Sequence, residues 1–306
     1  MNKYTCVVVG YGSIGKRHTD ILNLLGQDVS VVTKRKIDYP STFPNVKEAI
    51  KELNPDYIIV ANETNKHYET LLEIKSTGYN EKILIEKPLF NKKQDTNFLF
   101  DDVYVAYNLR FHPLIQKLST ELQGRKVVSV QAYVGQYLPS WRPGTDYRKT
   151  YSSSKVLGGG VLRDLSHELD YLQYLFGDWE TMTAIGGKFS SLDVETDDHF
   201  SIMFNTEKVP LVTVQMNYLD FITQRFIIVN SNEKTYKADF IQNTLQINDE
   251  VIHFETERND TYRLQHLAVL NNDVTKLCDL KNGLRVVTMI EKAEKASNDK
   301  EWITNE

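Results

Sequence analysis

Cysteine is almost missing from this chain: Cys6 and Cys278 are the two among 306 residues, and they stand far apart. Two distant thiols make neither a disulfide framework nor a metal-ligand spacing, so both read as small buried hydrophobes. Also missing is any apolar run long enough to span a bilayer, and the N-terminus enters an apolar strand almost at once, without the charged, apolar and cleavage regions of a signal peptide. The expectation is a cytoplasmic protein. No excess of positive charge is present either. The formal net charge is −5, which gives no electrostatic case for nucleic acid or acidic membranes as partners and leaves small polar metabolites as the expected ligands. What is present, 41% hydrophobic and 25% charged residues over 306 positions, is enough for two domains with their own cores.

From Tyr4 to about Tyr107, apolar strand runs alternate with helical patterns: CVVVG, a helix, VSVVT, KEAIKEL, YIIVANE, HYETLLEIKSTG, KILIEKP and VYVAYN. That alternation predicts a doubly wound parallel sheet. After Asn108 the texture changes to a helical FHPLIQKLSTELQ, a long alternating run from Val127 to Tyr137, and a loop rich in Trp, Arg, Pro and Gly. One helix is expected around Asp164 to Phe176, followed by β-type runs through VIHFE that predict a large open, mostly antiparallel sheet. Two terminal helices are expected, from Tyr262 to Leu277 and from Gly283 to Ser297. The predicted fold class is therefore α/β, with domain one at 1–109 and domain two at 110–306; the terminal helices, about 262–297, are able to return to the first.

The first chemical signal is GYGSIG, Gly10 to Gly15, between the run Cys6-Val7-Val8-Val9 and the helix-compatible KRHTDILNLLG. Strand, glycine turn and helix in that order suit a dinucleotide. Gly10 permits a tight turn, Gly12 lets backbone approach a pyrophosphate, and Gly15 lets helix and strand pack closely, while Ser13 and Ile14 open the helix whose N–H groups would meet the phosphates. At the end of the second strand the discriminating position carries Thr33-Lys34-Arg35 and no carboxylate. A hydroxyl and two cations favour a 2′-phosphate, hence NADP(H), with NAD(H) the alternative; a merely solvated turn is the plain competing reading.

Two further stretches carry functional residues. EKPL, Glu86 to Leu89, follows the strand-like KILI and puts Lys87 at a strand end; an isolated lysine there would ordinarily be a solvent-facing one. LGGGVLRDLSHELDYLQYLFGD, Leu157 to Asp178, has three glycines ahead of Asp164, His167 and Asp170 at i, i+3, i+6, with Leu165, Leu169, Leu172 and Leu175 as the apolar stripe. A His and a carboxylate one turn apart suit proton transfer near neutral pH, and equally suit a structural histidine. No Cys or second His lies one turn away, so no metal is expected. The loop GQYLPSWRPGTDYRKTYSSSK concentrates Tyr137, Trp141, Arg142, Asp146, Tyr147, Arg148 and Tyr151. Aromatic faces with guanidinium forks suit a nucleotide sugar or acidic sugar, or else a subunit interface.

In this order GYGSIG, EKPL and GGGVLRDLSHELD resemble the glucose-fructose oxidoreductase, inositol dehydrogenase and MocA (Gfo/Idh/MocA) family, supported by VANETNKHYE, YNLRFHP and NGLRVVTMIEKAEKAS. The resemblance implies an NAD(P)-binding Rossmann domain, a substrate domain with an open antiparallel sheet, an active site divided between them, and homo-oligomers, dimers or tetramers, formed through that sheet. It implies a hydride transfer between nicotinamide C4 and a secondary hydroxyl or ketone of a carbohydrate. By resemblance Lys87 would be the catalytic lysine and His167 with Asp164 the second-domain pair; the chemistry suggests His167 as the acid/base, with Asp164 orienting it or binding a substrate hydroxyl. Asn62, Glu63, Asn65, His67 and Glu86 would join the cofactor site; Arg110, with His112 beside it, would face substrate. One departure stands out: many members separate that Asp and His by three residues, whereas only Leu165 and Ser166 intervene here. The competing function is a dinucleotide-binding sensor or regulatory protein without turnover.

Overall fold

A computed structural model describes residues 3–96 and 102–305. The chain divides into two compact units, one of residues 1–108 and 258–287, the other of 109–257 and 288–306.

In the first unit β1 (Thr5–Val9), α1 (Ser13–Leu24), β2 (Asp28–Val32), β3 (Thr42–Phe43), α2 (Val46–Leu53), β4 (Tyr57–Val60), α3 (His67–Lys75), β5 (Lys82–Ile85) and β6 (Val103–Val105) follow in chain order. Strands β1, β4 and β5 are almost wholly apolar from Cys6, Tyr57 and Ile83 onward because both faces of the sheet are covered: Val7, Val8, Ile58, Ile59, Ile83 and Leu84 are fully buried. The strand order β6-β5-β4-β1-β2-β3 is parallel throughout. It brings the carboxyl ends of β1, β2, β4 and β5 to one edge, with Gly10, Thr33, Asn62 and Lys87 just beyond them, where open α/β sheets bind ligands.

The second unit begins with α4 (Pro113–Glu121) and β7 (Val127–Gly135), then α5 (Val161–Asp164), α6 (His167–Phe176) and the strands β8 (Trp179–Gly187), β9 (His199–Thr206), β10 (Val212–Asn217), β11 (Gln224–Ser231), β12 (Thr235–Asp239), β13 (Thr244–Ile247) and β14 (Glu250–His253). The sheet order is β14-β13-β12-β11-β7-β10-β9-β8. Every pairing is antiparallel except that of β7 with β10. Period-two alternation sends Val130, Ala132, Val134, Phe200, Ile202, Phe204, Val212, Val214 and Met216 into the core beneath the helices. The opposite face presents Thr183, Ile185, Ser201, Met203, Thr213 and Gln215 around a shallow depression.

Returning to the first unit, α7 (Asp260–Leu270) ends seven residues before the expected Leu277. Asn272 adopts a left-handed φ of 59°, and a short β15 (Cys278–Asp279) pairs antiparallel with the edge strand β6. Helix α8 (Leu280–Asp299) is longer than expected, and β16 (Ile303–Thr304) closes the second sheet beside β8. Among the described residues no helix is long and apolar enough to cross a membrane.

Candidate active site

The glycine turn is shaped by backbone contact. Gly10 lies at φ 98°, and a Cβ there would stand 2.7 Å from the Ala61 carbonyl oxygen. A Cβ on Gly15 would stand 2.0 Å from the Gly10 carbonyl oxygen, so α1 can approach β1 only through glycine. Gly12 is different: a Cβ there would meet nothing within 4 Å. It is the N-cap of α1, which has no side-chain cap and no acidic residue in its first turn. Its orphan N–H groups and the positive end of the helix dipole therefore face open space, the arrangement a pyrophosphate requires. Nearby, the Asn62 side chain donates to Thr70 Oγ1 at 2.8 Å while its Oδ1 is buried without a hydrogen-bond partner among the described residues. An open cradle and a buried acceptor fit a dinucleotide in this turn.

Beyond β2, Thr33 is half-buried and accepts the Arg35 backbone N–H at 3.1 Å, while Lys34 and Arg35 are exposed. Across the edge Glu63 pairs with Lys66 at 3.1 Å. Burial opposes ionisation of Glu63, but a backbone hydrogen bond, Lys66 and Arg35 together lower its carboxyl below the usual range. Asn65 lies in the same 3-10 turn.

Two expected cofactor residues turn inward. His67 is 1% exposed, with Nδ1 3.0 Å from the Leu89 carbonyl and Nε2 3.2 Å from the Asn62 carbonyl. It brackets the loop after β4 against the segment after Lys87, and its burial lowers its proton affinity despite those carbonyls. Glu86 is also buried, one oxygen 2.8 Å from His18 Nε2 and the other accepting the Lys87 backbone N–H at 3.1 Å. Lys87 itself is half-buried and precedes a cis peptide bond to Pro88.

In the second unit, the single helix expected over Asp164 to Phe176 is broken. Leu165 leaves helical geometry at φ −102° and ψ 23°, so α5 ends at Asp164 and α6 starts at His167. Tertiary contacts outweigh local propensity here, because Leu165 and Ser166 are both buried. Asp164, His167 and Asp170 consequently do not share one helix face. Asp170 takes Arg110 in a buried pair, Nη2 to Oδ1 at 2.7 Å and Nε to Oδ2 at 3.0 Å. That ion pair gives Arg110, expected to meet substrate, a partner inside the fold. His112 is likewise structural: its Nδ1 accepts the Leu114 N–H at 3.2 Å as the N-cap of α4.

Asp164 is the focus of a different cluster. Tyr218, fully buried just after β10, donates its hydroxyl to Asp164 Oδ2 at 2.7 Å. The Arg142 guanidinium lies 5.2 Å above the Tyr151 ring, and Asp164 and Arg142 both act on the Tyr151 hydroxyl. Trp141 meets the Tyr218 ring edge-on at 5.2 Å. Burial, followed by the charge of Asp164, drives the hydroxyls of Tyr151 and Tyr218 far above the usual tyrosine range, so both stay donors. Three of the loop residues expected at the site thus pack together near Asp164: Trp141 on Tyr218, which donates to Asp164, and Arg142 on Tyr151, on which the Asp164 charge acts. Two do not: Arg148 is tied to Asp146 at 2.8 and 2.9 Å, and the Tyr147 hydroxyl accepts the Asp193 N–H at 3.2 Å. Tyr137 stacks on Phe221 with centroids 4.2 Å apart.

The glycines before α5 make this packing feasible. A Cβ on Gly159 would stand 2.1 Å from the Tyr151 carbonyl oxygen, and one on Gly160 2.3 Å from Asp197 Oδ1. Asp197 accepts the Leu162 N–H at 3.0 Å, and burial pushes its carboxyl up to about 6. Sequence reasoning missed Tyr218, which reads as one more aromatic in PLVTVQMNYL. No set of three or more His, Cys, Asp and Glu side chains among the described residues could hold a metal ion.

Residues 4–101 match the oxidoreductase family with an NAD-binding Rossmann fold, and residues 124–234 match the GFO/IDH/MocA C-terminal domain. A myo-inositol 2-dehydrogenase of Thermotoga maritima is 21% identical over 190 residues, 56% of this chain and 54% of that protein. The chain spans about half the length of the curated relatives it matches. Among solved structures, a levoglucosan dehydrogenase in complex with NADH aligns over 99% of both chains with a TM-score of 0.84 and 14% identity. The WlbA dehydrogenase from Bordetella pertussis, in complex with NADH and UDP-GlcNAcA, aligns over 100% of this chain and 98% of its own with a TM-score of 0.80 and 16% identity. At such identities the likeness is one of fold. Two matched domains, together covering about two thirds of the sequence, place this chain in the GFO/IDH/MocA oxidoreductase family.

Proposed function

We propose that this protein transfers a hydride between the C4 of a nicotinamide dinucleotide and a secondary hydroxyl or ketone of a carbohydrate. The observation that carries the reading is the uncapped N-terminus of α1 at Gly12, on the sheet edge where Lys87 follows β5. The nicotinamide, when bound, supplies the hydride acceptor or donor. The protein's own groups handle the proton and the oxygen. Lys87 stabilises negative charge on the reacting oxygen, His167 takes or returns its proton, and Asp164 binds a neighbouring hydroxyl; this division rests on the family resemblance and on the chemistry of the groups. For oxidation, the hydroxyl proton goes to the His167 imidazole while a bound nicotinamide would accept the hydride at C4. Reduction is the reverse.

The finer features are also proposals. Thr33, Lys34 and Arg35, with no carboxylate ending β2, support NADP(H) over NAD(H); Arg35→Ala should weaken NADPH binding at least tenfold more than NADH binding in a fluorescence titration. Equal losses would refute the preference. Trp141, Arg142 and Tyr151 around Asp164 support a nucleotide sugar or acidic sugar as substrate. The exposed sheet face bearing Ile185, 74% exposed, and Met203 supports a homo-oligomer formed through that sheet, which light scattering would read directly. The deciding experiment is turnover of UDP-sugars, sugar acids and plain polyols by the wild type and Lys87→Ala. The variant should keep cofactor binding and lose at least about a hundredfold in turnover. Undiminished turnover would overturn the catalytic reading, and turnover of polyols alone would overturn the substrate class.

A further inference from the structure

Behind the Lys87 backbone a line of four buried side chains crosses the first unit. Glu86 Oε1 lies 2.8 Å from His18 Nε2, His18 Nδ1 lies 2.8 Å from His266 Nε2, and His266 Nδ1 lies 3.0 Å from the Tyr57 hydroxyl. His18, His266 and Tyr57 are fully buried and come from α1, α7 and the start of β4. We propose that Tyr57, His266 and His18 are positioning residues: a one-way chain of hydrogen-bond donors that ends on the Glu86 carboxylate and holds it ionised next to Lys87.

The direction follows from counting hydrogens. Burial drives the Tyr57 hydroxyl far above the usual tyrosine range, so it stays protonated. Burial holds His266 neutral with a single N–H. The Tyr57 hydrogen then goes to His266 Nδ1, the His266 Nε2–H to His18 Nδ1, and the His18 Nε2–H to Glu86, with each of the three gaps holding one hydrogen. Turning the chain round would put N–H on His266 Nδ1 and leave the Tyr57 hydrogen without an acceptor in this line, in a place where such a loss is costly. At the far end burial opposes the Glu86 charge, but His18, Lys87 and the Lys87 backbone N–H outweigh it and lower the carboxyl. Other titratable groups face this line: Tyr262, edge-on to His18 at 5.6 Å, with Arg17 5.2 Å over its ring and Arg258 acting on it; His67, which feels the Glu86 charge; and Cys6 and Tyr79, which face Tyr57.

The consequence falls on Lys87. An anionic Glu86 favours the Lys87 ammonium, the form that stabilises charge on a reacting oxygen. This inference rests on the reading of Lys87 as catalytic, and it adds residues that never touch substrate.

The test measures the proton affinity of Lys87 without a substrate. Competitive acetylation by acetic anhydride across pH, quantified on the Lys87 peptide by mass spectrometry, gives its midpoint in the wild type, Glu86→Gln, His18→Leu and Tyr57→Phe; thermal melts establish that each variant is folded. Glu86→Gln and His18→Leu should each lower the midpoint by about one pH unit, and Tyr57→Phe should move it the same way by less. A folded His18→Leu with the wild-type midpoint, beside a shifted Glu86→Gln, would overturn the chain. Should His18→Leu fail to fold, Tyr57→Phe decides: a downward shift supports the proposal and none refutes it. Lys87→Ala turnover is measured separately, so loss of the catalytic reading would leave the acetylation result standing on its own.

Discussion

Replacing Gly12 with alanine should separate cofactor binding from folding, because the three turn glycines are glycine for different reasons. At Gly12 the backbone sits at φ −79° and ψ −169°, open to any residue, and a Cβ meets nothing within 4 Å. Alanine is a poorer N-cap than glycine, but it also restricts the unfolded chain by about 0.4–1 kcal/mol. The two effects oppose, so the melting temperature should stay within about 4 °C of wild type. Bound pyrophosphate is another matter, since the new methyl occupies the space it needs. Losing even one charge-assisted hydrogen bond costs about 1.5–3 kcal/mol, which predicts roughly ten- to hundredfold weaker binding of the nicotinamide dinucleotide. Gly15→Ala should instead unfold the first unit, because its Cβ would lie 2.0 Å from the Gly10 carbonyl oxygen and neither backbone segment can yield cheaply. Fluorescence titration and thermal melting read both effects. Wild-type dinucleotide affinity in a folded Gly12→Ala variant would refute this placement of the dinucleotide.

Other outcomes follow from the same geometry. Burial, then Arg225, lowers His112 to about 4 from 6.5, so as pH falls through that window the unfolded chain takes up a proton that the folded chain refuses. Its contribution is complete above pH 6.5 and falls by about 2 kcal/mol by pH 5; His112→Asn, which can still cap α4, should flatten that part of the urea-stability profile, and an unaltered slope would sink the assignment. Tyr218→Phe removes a donor to Asp164 and should destabilise the protein by about 1.5–3 kcal/mol in urea unfolding; a loss under about 0.5 kcal/mol would show that the bond contributes little. The Cys6 thiol, pushed up to about 12 mainly by burial, should resist alkylation by iodoacetamide until the chain unfolds; rapid labelling under native conditions would contradict its place in the core.

The alternation of strands and helices, the glycine turn and the lysine strand end were legible because each is written in neighbouring residues. Val7, Ile58 and Ile83 are apolar for the same local reason, a strand buried on both faces. The break at Leu165 and Ser166 was not legible, since neither residue is a helix breaker and burial alone imposes it. The early stop of α7 did leave a signal in Asn271-Asn272, which the expected helix ran through. Long-range partners leave none: Tyr218 is 54 residues from Asp164, and His266 is 248 from His18. Arg110 and His67 illustrate the opposite case. Their chemistry suits a ligand, but Asp170 and two backbone carbonyls take them first. A buried ion pair and a bracketed imidazole resemble site residues in sequence because each uses the same donors that a substrate would.

The central claim is hydride transfer to or from a carbohydrate carbon. Its most direct test is incubation of the wild-type protein with reduced nicotinamide dinucleotide carrying deuterium at C4 and a panel of keto forms of nucleotide sugars and sugar acids, followed by mass spectrometry of the sugars. Deuterium bound to carbon in a hydroxyl product, absent with Lys87→Ala, is the predicted result. Oxidised cofactor with no deuterium in any sugar, or no reaction across the panel in protein that binds the dinucleotide, would contradict it.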